Sequence, residues 1–399
     1  MLNLLSLALL TCLLTGCAPT TDPLPRPLPV TLLAPDPTLL RNNVVNASHR
    51  ADGTVTVDGR PLFPLGFYHI SWATGGTIAQ RRADVCKLGA SGFNLMATEP
   101  INDEDVATYR NFLDLAQQCG VYILSYGLKT NTINAIKSHP AVLGFKLADD
   151  SNALVSPAEV TKRNLSTKKL APDKLTYISL SVGYNRPETP YFGTSDLVGN
   201  QSYPVGNDDI NVTYRVMRSA VQSALAQRSV PIANLQTFSW GKGKPLPNPA
   251  ELRNMTYQAV MAGVKGILYY AYRSQEVDLN REPRLWGEAQ ALAREVALLS
   301  PALLESRRTE LSSGNGKQPV VVLFQGTGGH YLLALNNSRR ERQKVNLPLP
   351  GRPDEWRSVS GRPGALRVTG AQVTGELAPL EVAVYRLRDQ PLMALGEYP

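Results

Sequence analysis

A regular alternation of strand-like and helix-like segments runs through the middle of this 399-residue chain. Short apolar and β-branched runs are each followed by a longer segment, usually with helical spacing. Gly89, Gly120 and Gly263 stand where a helix should end before the next strand. Eight strands are predicted, at 62–70, 93–98, 121–126, 142–149, 175–182, 197–203, 231–239 and 266–272. Helices are predicted at 77–88, 103–118, 132–138, 157–170, 212–227, 249–262 and 284–299.

This order predicts an α/β fold, a (β/α)8 TIM barrel with its helices outside a closed parallel sheet. The main alternative is a doubly wound sheet, but no glycine-rich phosphate loop follows the first strand. A hairpin with Asp58-Gly59 at its turn precedes the barrel. After about residue 309, strands at 320–324, 331–335, 344–347 and 381–387 follow one another without helices, which predicts a small antiparallel β-sandwich domain.

The N-terminus carries features of export. Residues 2–14 form an almost unbroken apolar run that is too short for a permanent membrane span. Leu14-Thr15-Gly16-Cys17 resembles the bacterial lipobox, which implies lipidation of Cys17; an ordinary cleaved signal peptide is the alternative. Predicted segments are a signal peptide at 1–17, a proline-rich tether at 18–50, the barrel at 51–305 and the sandwich at 306–399. We therefore expect a lipid anchor on Cys17 that holds the protein at the bacterial cell envelope, facing outside the cytoplasm.

Composition narrows the choice of partners. Lys and Arg exceed Asp and Glu by 41 to 33, but this charge is spread along the chain without a basic run that contains aromatics, which argues against nucleic-acid binding. The four histidines and the cysteines show no metal-ligand spacing, so we expect neither a metal nor a cofactor. Export would allow a disulfide between Cys86 and Cys119, near the ends of consecutive predicted helices, although two buried free thiols are the favoured prediction.

Several phrases in the chain, in their order, resemble bacterial glycoside hydrolases of the clan A type. Residues 57–68 are similar to the entry into many of these barrels, and Asp149-Asp150 resembles the Asp-Glu that such sequences place after the fourth strand. Residues 196–204 and 262–270 are similar to their sixth and eighth strands, and 377–385 to the closing strand of their accessory sandwich. The resemblance covers about residues 52–388 and implies an enzyme that cleaves sugar linkages.

The fourth predicted strand ends on two adjacent carboxylates, at the end of a barrel where active sites lie. Strand alternation predicts that Asp150 points into the barrel, two residues above Lys146, and that Asp149 faces the helix layer unless the strand has already turned. We predict Asp150 as the catalytic acid/base, with Asp149 orienting the substrate or sharing the charge. The alternative is a structural ion pair between Lys146 and Asp150, which would keep Asp150 ionised.

Glycoside cleavage usually needs a second carboxyl group opposite the first. The resemblance implies a nucleophilic glutamate at the end of the seventh strand, but Gln236 stands there, and an amide cannot attack a sugar carbon. Three alternatives remain open. The Asp-Asp pair resembles that of substrate-assisted N-acetylhexosaminidases; Glu99, Glu276 or Asp278 supplies the partner carboxylate; or the barrel binds a glycan without cleaving it.

Polar and aromatic residues at the predicted strand ends indicate a carbohydrate partner. Barrel interiors favour Val, Ile and Leu, whereas these positions suit hydrogen bonds to hydroxyls and stacking on pyranose faces. The predicted sugar-binding residues are Tyr68, His69, Asn94, Asn200, Tyr203, Gln236, Trp240, Tyr270 and Tyr272. The predicted function is hydrolysis of O-glycosidic bonds in an extracellular or envelope glycan by an anchored lipoprotein; a non-catalytic glycan-binding lipoprotein on a degenerate barrel is the alternative.

Overall fold

The computed structural model describes residues 46–70, 76–101, 104–182, 188–314, 317–349 and 356–387. The signal peptide, Cys17 and most of the tether therefore lie outside the described residues and stay predictions. The last tether residues already form a strand, β1 (Ala47–His49), which pairs with the hairpin β2 (Val55–Val57) and β3 (Arg60–Leu62). No helix in the described ranges is long and apolar enough to cross a membrane.

A closed barrel of eight parallel strands forms the centre of the molecule, which confirms the predicted fold. Each strand pairs with its neighbour in the chain, and the last strand closes the ring by pairing with the first. The eight predicted strands each overlap one of these. They are β4 (Leu65–His69), β5 (Leu95–Thr98), β6 (Tyr122–Ser125), β7 (Val142–Ala148), β8 (Leu175–Leu180), β9 (Leu197–Ser202), β10 (Val230–Gln236) and β11 (Gly266–Arg273).

Several helices begin where the sequence supplies a side-chain cap. Thr77 forms a capping box with Gln80, and Asn248 does the same with Glu251, so both helices start one residue later. A short helix directly after Asp150 was not expected from the sequence. The helices are α1 (Ile78–Ala90), α2 (Val106–Gln118), α3 (Thr130–Ile136), α4 (Ser151–Leu154), α5 (Pro157–Leu170), α6 (Val212–Ala226), α7 (Pro249–Ala262) and α8 (Pro283–Glu305).

A disulfide joins Cys86 to Cys119, with their Cα atoms 4.9 Å apart. The favoured prediction of two free thiols is therefore wrong. Cys86 lies in the last turns of α1 and Cys119 caps the end of α2. Because a single parallel strand, β5, separates these helices, they run side by side outside the barrel with their C-terminal ends together.

Two antiparallel sheets follow α8 without a linker, which confirms the predicted C-terminal sandwich. Their strand orders are β12-β13-β14-β19-β16 and β15-β18-β17. Along β13, Val321 and Leu323 face the second sheet, whereas Val320 and Val322 join the apolar core that continues into the barrel. The strands are β12 (Ser306–Ser313), β13 (Val320–Gly326), β14 (Gly329–Leu335), β15 (Gln343–Pro348), β16 (Trp356–Ser360), β17 (Leu366–Thr369), β18 (Gln372–Leu377) and β19 (Val382–Leu387).

Candidate active site

A hydrogen-bonded layer of polar and aromatic side chains fills the barrel lumen below its mouth. The hydroxyl oxygens of Tyr68 and Tyr177 lie 2.6 Å apart, and Tyr177 donates to Oδ1 of Asn234 at 3.0 Å. Gly199 on β9 makes this layer sterically feasible, since a Cβ there would overlap the Tyr177 hydroxyl and the Asn234 amide. The layer forms the floor of the candidate site.

Above this floor, a buried lysine holds one of the two predicted carboxylates. Nζ of Lys146 lies 2.8 Å from Oδ2 of Asp149, and 4.5 and 4.8 Å from the ring centroids of Tyr68 and Tyr126. Ser179 donates its hydroxyl to the other oxygen of Asp149. Burial raises the pKa of Asp149, but Lys146 and Ser179 outweigh burial and hold that pKa below its usual value. Asp149 is therefore ionised at neutral pH.

The lysine pairs with Asp149, so the predicted pair of Lys146 with Asp150 is wrong. Strict alternation fails because the register between β7 and β8 shifts between Lys146 and Ala148, as at a β-bulge. The strand ends at Ala148, and Asp149 turns into the lumen instead of toward the helices. Asp150 then takes the left-handed conformation, with φ 43° and ψ 44°, at the start of α4.

Asp150 lies in a different environment from its neighbour. Nε2 of Gln201 on β9 donates to its Oδ1 at 2.7 Å, and its own N–H donates to Ser179 at 3.1 Å. Burial and the charge of Asp149 raise the pKa of Asp150, and the bond from Gln201 offsets this only in part. A left-handed non-glycine residue is costly and is concentrated at functional sites. The pKa values of the two adjacent carboxyl groups are therefore shifted in opposite directions.

The sequence prediction placed Asn200 on the wrong face of β9. Gly199, Gln201 and Tyr203 face the lumen, whereas Ser202 bonds a hydroxyl on α6, 2.9 Å away. Asn200 shares the outward face and hydrogen-bonds Glu188, so its predicted place at the mouth is wrong. Gln201, the residue that contacts Asp150, was missed for the same reason. The small Gly199 was the signal that could have set the register, since the lumen needs space beside Tyr177.

Two further predicted residues, His69 and Tyr272, face the helix layer. Nε2 of His69 lies 3.0 Å from a carboxylate oxygen of Asp84 on α1. The ring of Tyr272 packs edge-on against Trp286 of α8, with centroids 5.1 Å apart. His69 is 1% exposed and Tyr272 is fully buried, so neither can stack on a sugar in this conformation. Their predicted places at the mouth are wrong because both are one residue out of phase with Tyr68 and Tyr270.

Asn94 and Gln236 are occupied by structural hydrogen bonds. Asn94 precedes β5, at the end of the barrel opposite the mouth, where its amide bonds the backbone of Leu65 and Phe63. Gln236 accepts from the backbone N–H of Val205 at 2.7 Å and donates to the carbonyls of Val205 and Phe238. Gln236 thereby fixes the loop after β9 and leaves no amide hydrogen-bonding group aimed at a ligand. The predicted sugar-binding roles of both residues conflict with these contacts.

An aromatic rim lines the mouth on the side of β9, β10 and β11. The ring centroid of Tyr203 lies 6.2 Å from Trp240 and 6.0 Å from Tyr270. The indole N–H of Trp240 donates to the carbonyl of Tyr203 at 3.1 Å, which fixes a ring that is 40% exposed. The hydroxyl of Tyr203 is buried and has no hydrogen-bond partner within the described ranges. These three residues face the mouth; Tyr68 also faces the lumen, but it is 2% exposed and belongs to the floor, so its predicted stacking on a sugar conflicts with its burial.

The other carboxylates near the mouth differ in their partners. Glu276 is exposed and accepts from Ser274 at 2.6 Å, and Asp278 is paired with Arg273 at 2.7 Å. Both line an open cleft of about 620 Å³ beside β11 that neither Asp149 nor Asp150 lines. Glu99, after β5, is half-buried. Across the described part of the chain, no group of three His, Cys, Asp or Glu side chains could hold a metal ion.

No protein-family model matches this chain, and no curated protein matches it in sequence. Solved structures do resemble it. A glycoside hydrolase family 5 protein from Bacteroides vulgatus ATCC 8482 gives a TM-score of 0.61 at 13% identity, covering 88% of this chain and 95% of that one. Another structure, described as a glycoside hydrolase, gives 0.60 at 12% identity, covering 87% and 98% of the two chains.

A GH27 β-L-arabinopyranosidase from Geobacillus stearothermophilus, solved in complex with arabinose, also resembles the chain. Its TM-score is 0.60 at 10% identity, and the match covers 86% of this chain and all of the other. These identities establish a shared fold, namely an eight-stranded barrel with helices followed by C-terminal sheets. The resemblance to glycoside hydrolases inferred from the sequence is confirmed at the level of architecture.

Proposed function

We propose that this chain is a glycoside hydrolase that cleaves O-glycosidic bonds at the barrel mouth, with Asp150 as the general acid. The observation that carries the proposal is the difference between the two adjacent carboxyl groups. Lys146 and Ser179 hold the pKa of Asp149 below its usual value against the effect of burial, whereas burial and the charge of Asp149 raise the pKa of Asp150, which makes Asp150 the better proton donor of the two. Glycoside cleavage needs one protonated and one ionised carboxyl group. The rings of Trp240 and Tyr270 offer faces on which a sugar can stack.

In this reaction Asp150 gives its proton to the leaving glycosidic oxygen as the bond to the anomeric carbon breaks. Asp149 accepts a hydrogen bond from the sugar or faces the positive charge that develops on the ring. It is suited to this because Lys146 and Ser179 fix the position of its carboxylate and keep it ionised. Gln201 fixes the orientation of Asp150 by its bond to Oδ1, which leaves Oδ2 to carry the proton.

A second candidate reaction is substrate-assisted cleavage of N-acetylhexosaminides. Two observations favour it: Gln236 at the end of β10 is fully used in holding a loop, and an ionised Asp149 adjoins Asp150. In this route the acetamido oxygen of the sugar attacks the anomeric carbon, Asp149 orients the acetamido N–H, and Asp150 is again the acid. Both routes give Asp150 the same role, so its variant tests both.

We also propose that the protein is a lipoprotein of the bacterial cell envelope, anchored through Cys17, that acts on an extracellular or envelope glycan. The disulfide between Cys86 and Cys119 supports export, because such bonds persist in oxidising compartments. The lipobox-like segment before Cys17 supports the anchor. Cells fed an alkyne-labelled fatty acid should label the wild type and not Cys17→Ser; equal labelling, or labelling of neither, contradicts the anchor.

The enzymatic proposal is tested by a panel of aryl hexosides, pentosides and N-acetylhexosaminides together with polysaccharides, assayed with wild type and Asp150→Asn. We expect hydrolysis of at least one linkage by the wild type and a loss of about 10²–10⁴-fold in the variant. Preference for N-acetylhexosaminides would select the substrate-assisted route. Glycan binding without hydrolysis by the wild type would instead identify a non-catalytic binding protein and overturn the proposal.

A further inference from the structure

Glu99 carries a carboxyl group at the barrel mouth that forms neither an ion pair nor a hydrogen bond with the residues that the structure describes. It follows β5 directly, at the same end of the barrel as Asp149 and Asp150. Its backbone is fixed, because Nη1 of Arg81 donates to its carbonyl at 2.8 Å and Arg81 is itself paired with Glu104 at 2.6 Å. Both members of that ion pair have fully buried side chains. Glu99 therefore stands on a rigid part of the rim.

The side chain of Glu99 extends over Gly127, toward the residues around Lys146. A Cβ added at Gly127 would lie 3.1 Å from Oε2 of Glu99, so this glycine leaves room for the carboxyl group. The carboxyl group is half-buried, and within the described ranges it accepts no hydrogen bond and forms no ion pair. Partial removal of a carboxylate from water without a compensating partner costs free energy. This cost points to a function for the side chain.

We infer that Glu99 is a second catalytic carboxyl group, the general base that activates the attacking water. The inference rests on the proposed function and completes it. Asp150 leans toward Gln201 on β9, and in the eight-stranded ring β9 lies opposite β5, which carries Glu99. The Lys146–Asp149 pair lies on β7, between the two. A sugar seated over that pair would have Asp150 on one side and Glu99 on the other.

The reaction balances as a single displacement. The water oxygen bonds to the anomeric carbon while its proton passes to Glu99. The bond to the leaving oxygen breaks with its electron pair, and that oxygen takes the proton of Asp150. The anomeric configuration is inverted, which requires carboxyl groups roughly 6.5–9.5 Å apart.

The electrostatics of Glu99 suit a base. Burial raises the pKa of Glu99, Lys146 opposes this rise, and the charge of Asp149 adds to it. A general base works best when its pKa approaches the pH at which the enzyme operates. The other candidates for the partner carboxylate are less suited to this role. Glu276 is exposed and accepts a hydrogen bond from Ser274, and Asp278 is held in an ion pair with Arg273.

The test compares Glu99→Gln with Glu276→Gln, an exposed carboxylate at the same end of the barrel, using phenyl and 2,4-dinitrophenyl glycosides of the sugar that the wild type cleaves. We expect Glu99→Gln to lose about 10²–10⁴-fold in kcat on both substrates, because a better leaving group does not replace a base. Glu276→Gln should stay within about twofold of the wild type. Proton NMR of the wild-type reaction should show the inverted anomer first.

Three results separate the possible failures. Activity of Glu99→Gln within about threefold of wild type overturns the role of Glu99 and leaves that of Asp150 standing. If Glu99→Gln does not fold, Glu99→Ala with added azide provides the second measurement: restored turnover supports the base, and unrestored turnover of a folded protein counts against it. Retention of configuration by the wild type overturns the inference without any variant. A wild type that cleaves no glycoside overturns the proposed function and the inference with it.

Discussion

Lys146 forms its ion pair with Asp149, at 2.8 Å, and leaves Asp150 to Gln201 on the next strand but one. The pairing skips the residue that alternation would have chosen, because the strand bulges and ends before the carboxylates. Its consequence is chemical: burial raises the pKa of Asp149, but Lys146 and Ser179 outweigh it and lower that pKa, whereas burial and the charge of Asp149 raise the pKa of Asp150. The pKa values of two adjacent aspartates are thereby shifted in opposite directions.

Lys146→Met should destabilise the protein and abolish hydrolysis. The substitution removes the partner of Asp149 from a lysine side chain that is only 4% exposed, whereas that of Asp149 is 35% exposed. We expect a loss of about 1–3 kcal/mol in the free energy of unfolding at neutral pH, less than for a fully buried pair. The pair stabilises the fold above the unfolded pKa of Asp149, and this contribution is lost as pH falls through the lower folded pKa. Urea titrations at several pH values should therefore show that the free energies of unfolding of wild type and variant become more similar in acid. A difference that does not change with pH would contradict the stabilising role of the ion pair.

Asp150→Asn should be at least as stable as the wild type at pH 7. The raised pKa of Asp150 means that its contribution to stability is present below its unfolded pKa and is lost as pH rises through the folded pKa. Asparagine tolerates the left-handed backbone and carries no charge to bury. Thermal melts should show that the Tm of the variant rises relative to that of the wild type as the pH is raised from acid to neutral. A variant clearly less stable at pH 7 would mean that Asp150 is mainly structural.

The same raised pKa predicts how activity depends on pH. A general acid must be protonated, so kcat/KM should fall as pH rises through the pKa of Asp150, above the 3.8 of an ordinary aspartate. Steady-state rates across the pH range give this alkaline limb. Its absence in the wild type, or its persistence in a residual activity of Asp150→Asn, would contradict the assignment.

Trp240→Ala should weaken glycan binding without destabilising the fold. The ring is 40% exposed and is held by its bond to Tyr203, so it offers a preformed stacking face. Loss of one aromatic contact of about 0.5–1.5 kcal/mol corresponds to roughly a 2–12-fold rise in Kd. Leu154→Ala, at a residue that is 73% exposed on α4, is the matched control and should leave Kd unchanged. Calorimetry with the sugar that the enzyme cleaves measures the Kd of both variants. An equal change of Kd in the two variants would exclude a specific stacking role for Trp240.

Loss of the disulfide should reduce stability measurably. The bond between Cys86 and Cys119 spans a sequence separation of 33. A disulfide that closes a loop of this size raises the free energy of unfolding by about 2–4 kcal/mol. The double variant Cys86→Ser/Cys119→Ser should unfold at lower urea concentration than the oxidised wild type, and dithiothreitol should affect the wild type alone. Reaction of both thiols with Ellman's reagent in the unfolded, unreduced protein would show that the bond does not form.

The barrel could be predicted from the sequence because strand–helix alternation is a local signal, and so is a helix-ending glycine such as Gly263; Gly89, however, lies inside α1, which continues to Ala90. The sandwich could be predicted only in part, because strands such as β16 and β17 contain one buried residue between them, Leu366, and lack a clear alternation. Packing rather than local pattern makes them strands, through pairing with β19 and β18.

The candidate site was harder to predict because it depends on which side of each strand faces the lumen. One bulge in β7 exchanged the partners of Asp149 and Asp150. One misassigned register in β9 put Asn200 in place of Gln201. Side-chain period two makes every such slip a complete reversal. Aromatic residues one position out of phase, His69 and Tyr272, were therefore assigned to the mouth although they pack against helices.

The role of Asp150 as general acid is tested most directly by the dependence of its variant on the leaving group. Leaving groups such as 2,4-dinitrophenolate depart without a proton, whereas phenolate needs one. We predict that Asp150→Asn loses about 10²–10⁴-fold in kcat/KM on the phenyl glycoside and less than about tenfold on the 2,4-dinitrophenyl glycoside. An equal loss on both substrates, or no loss on either, would contradict the account.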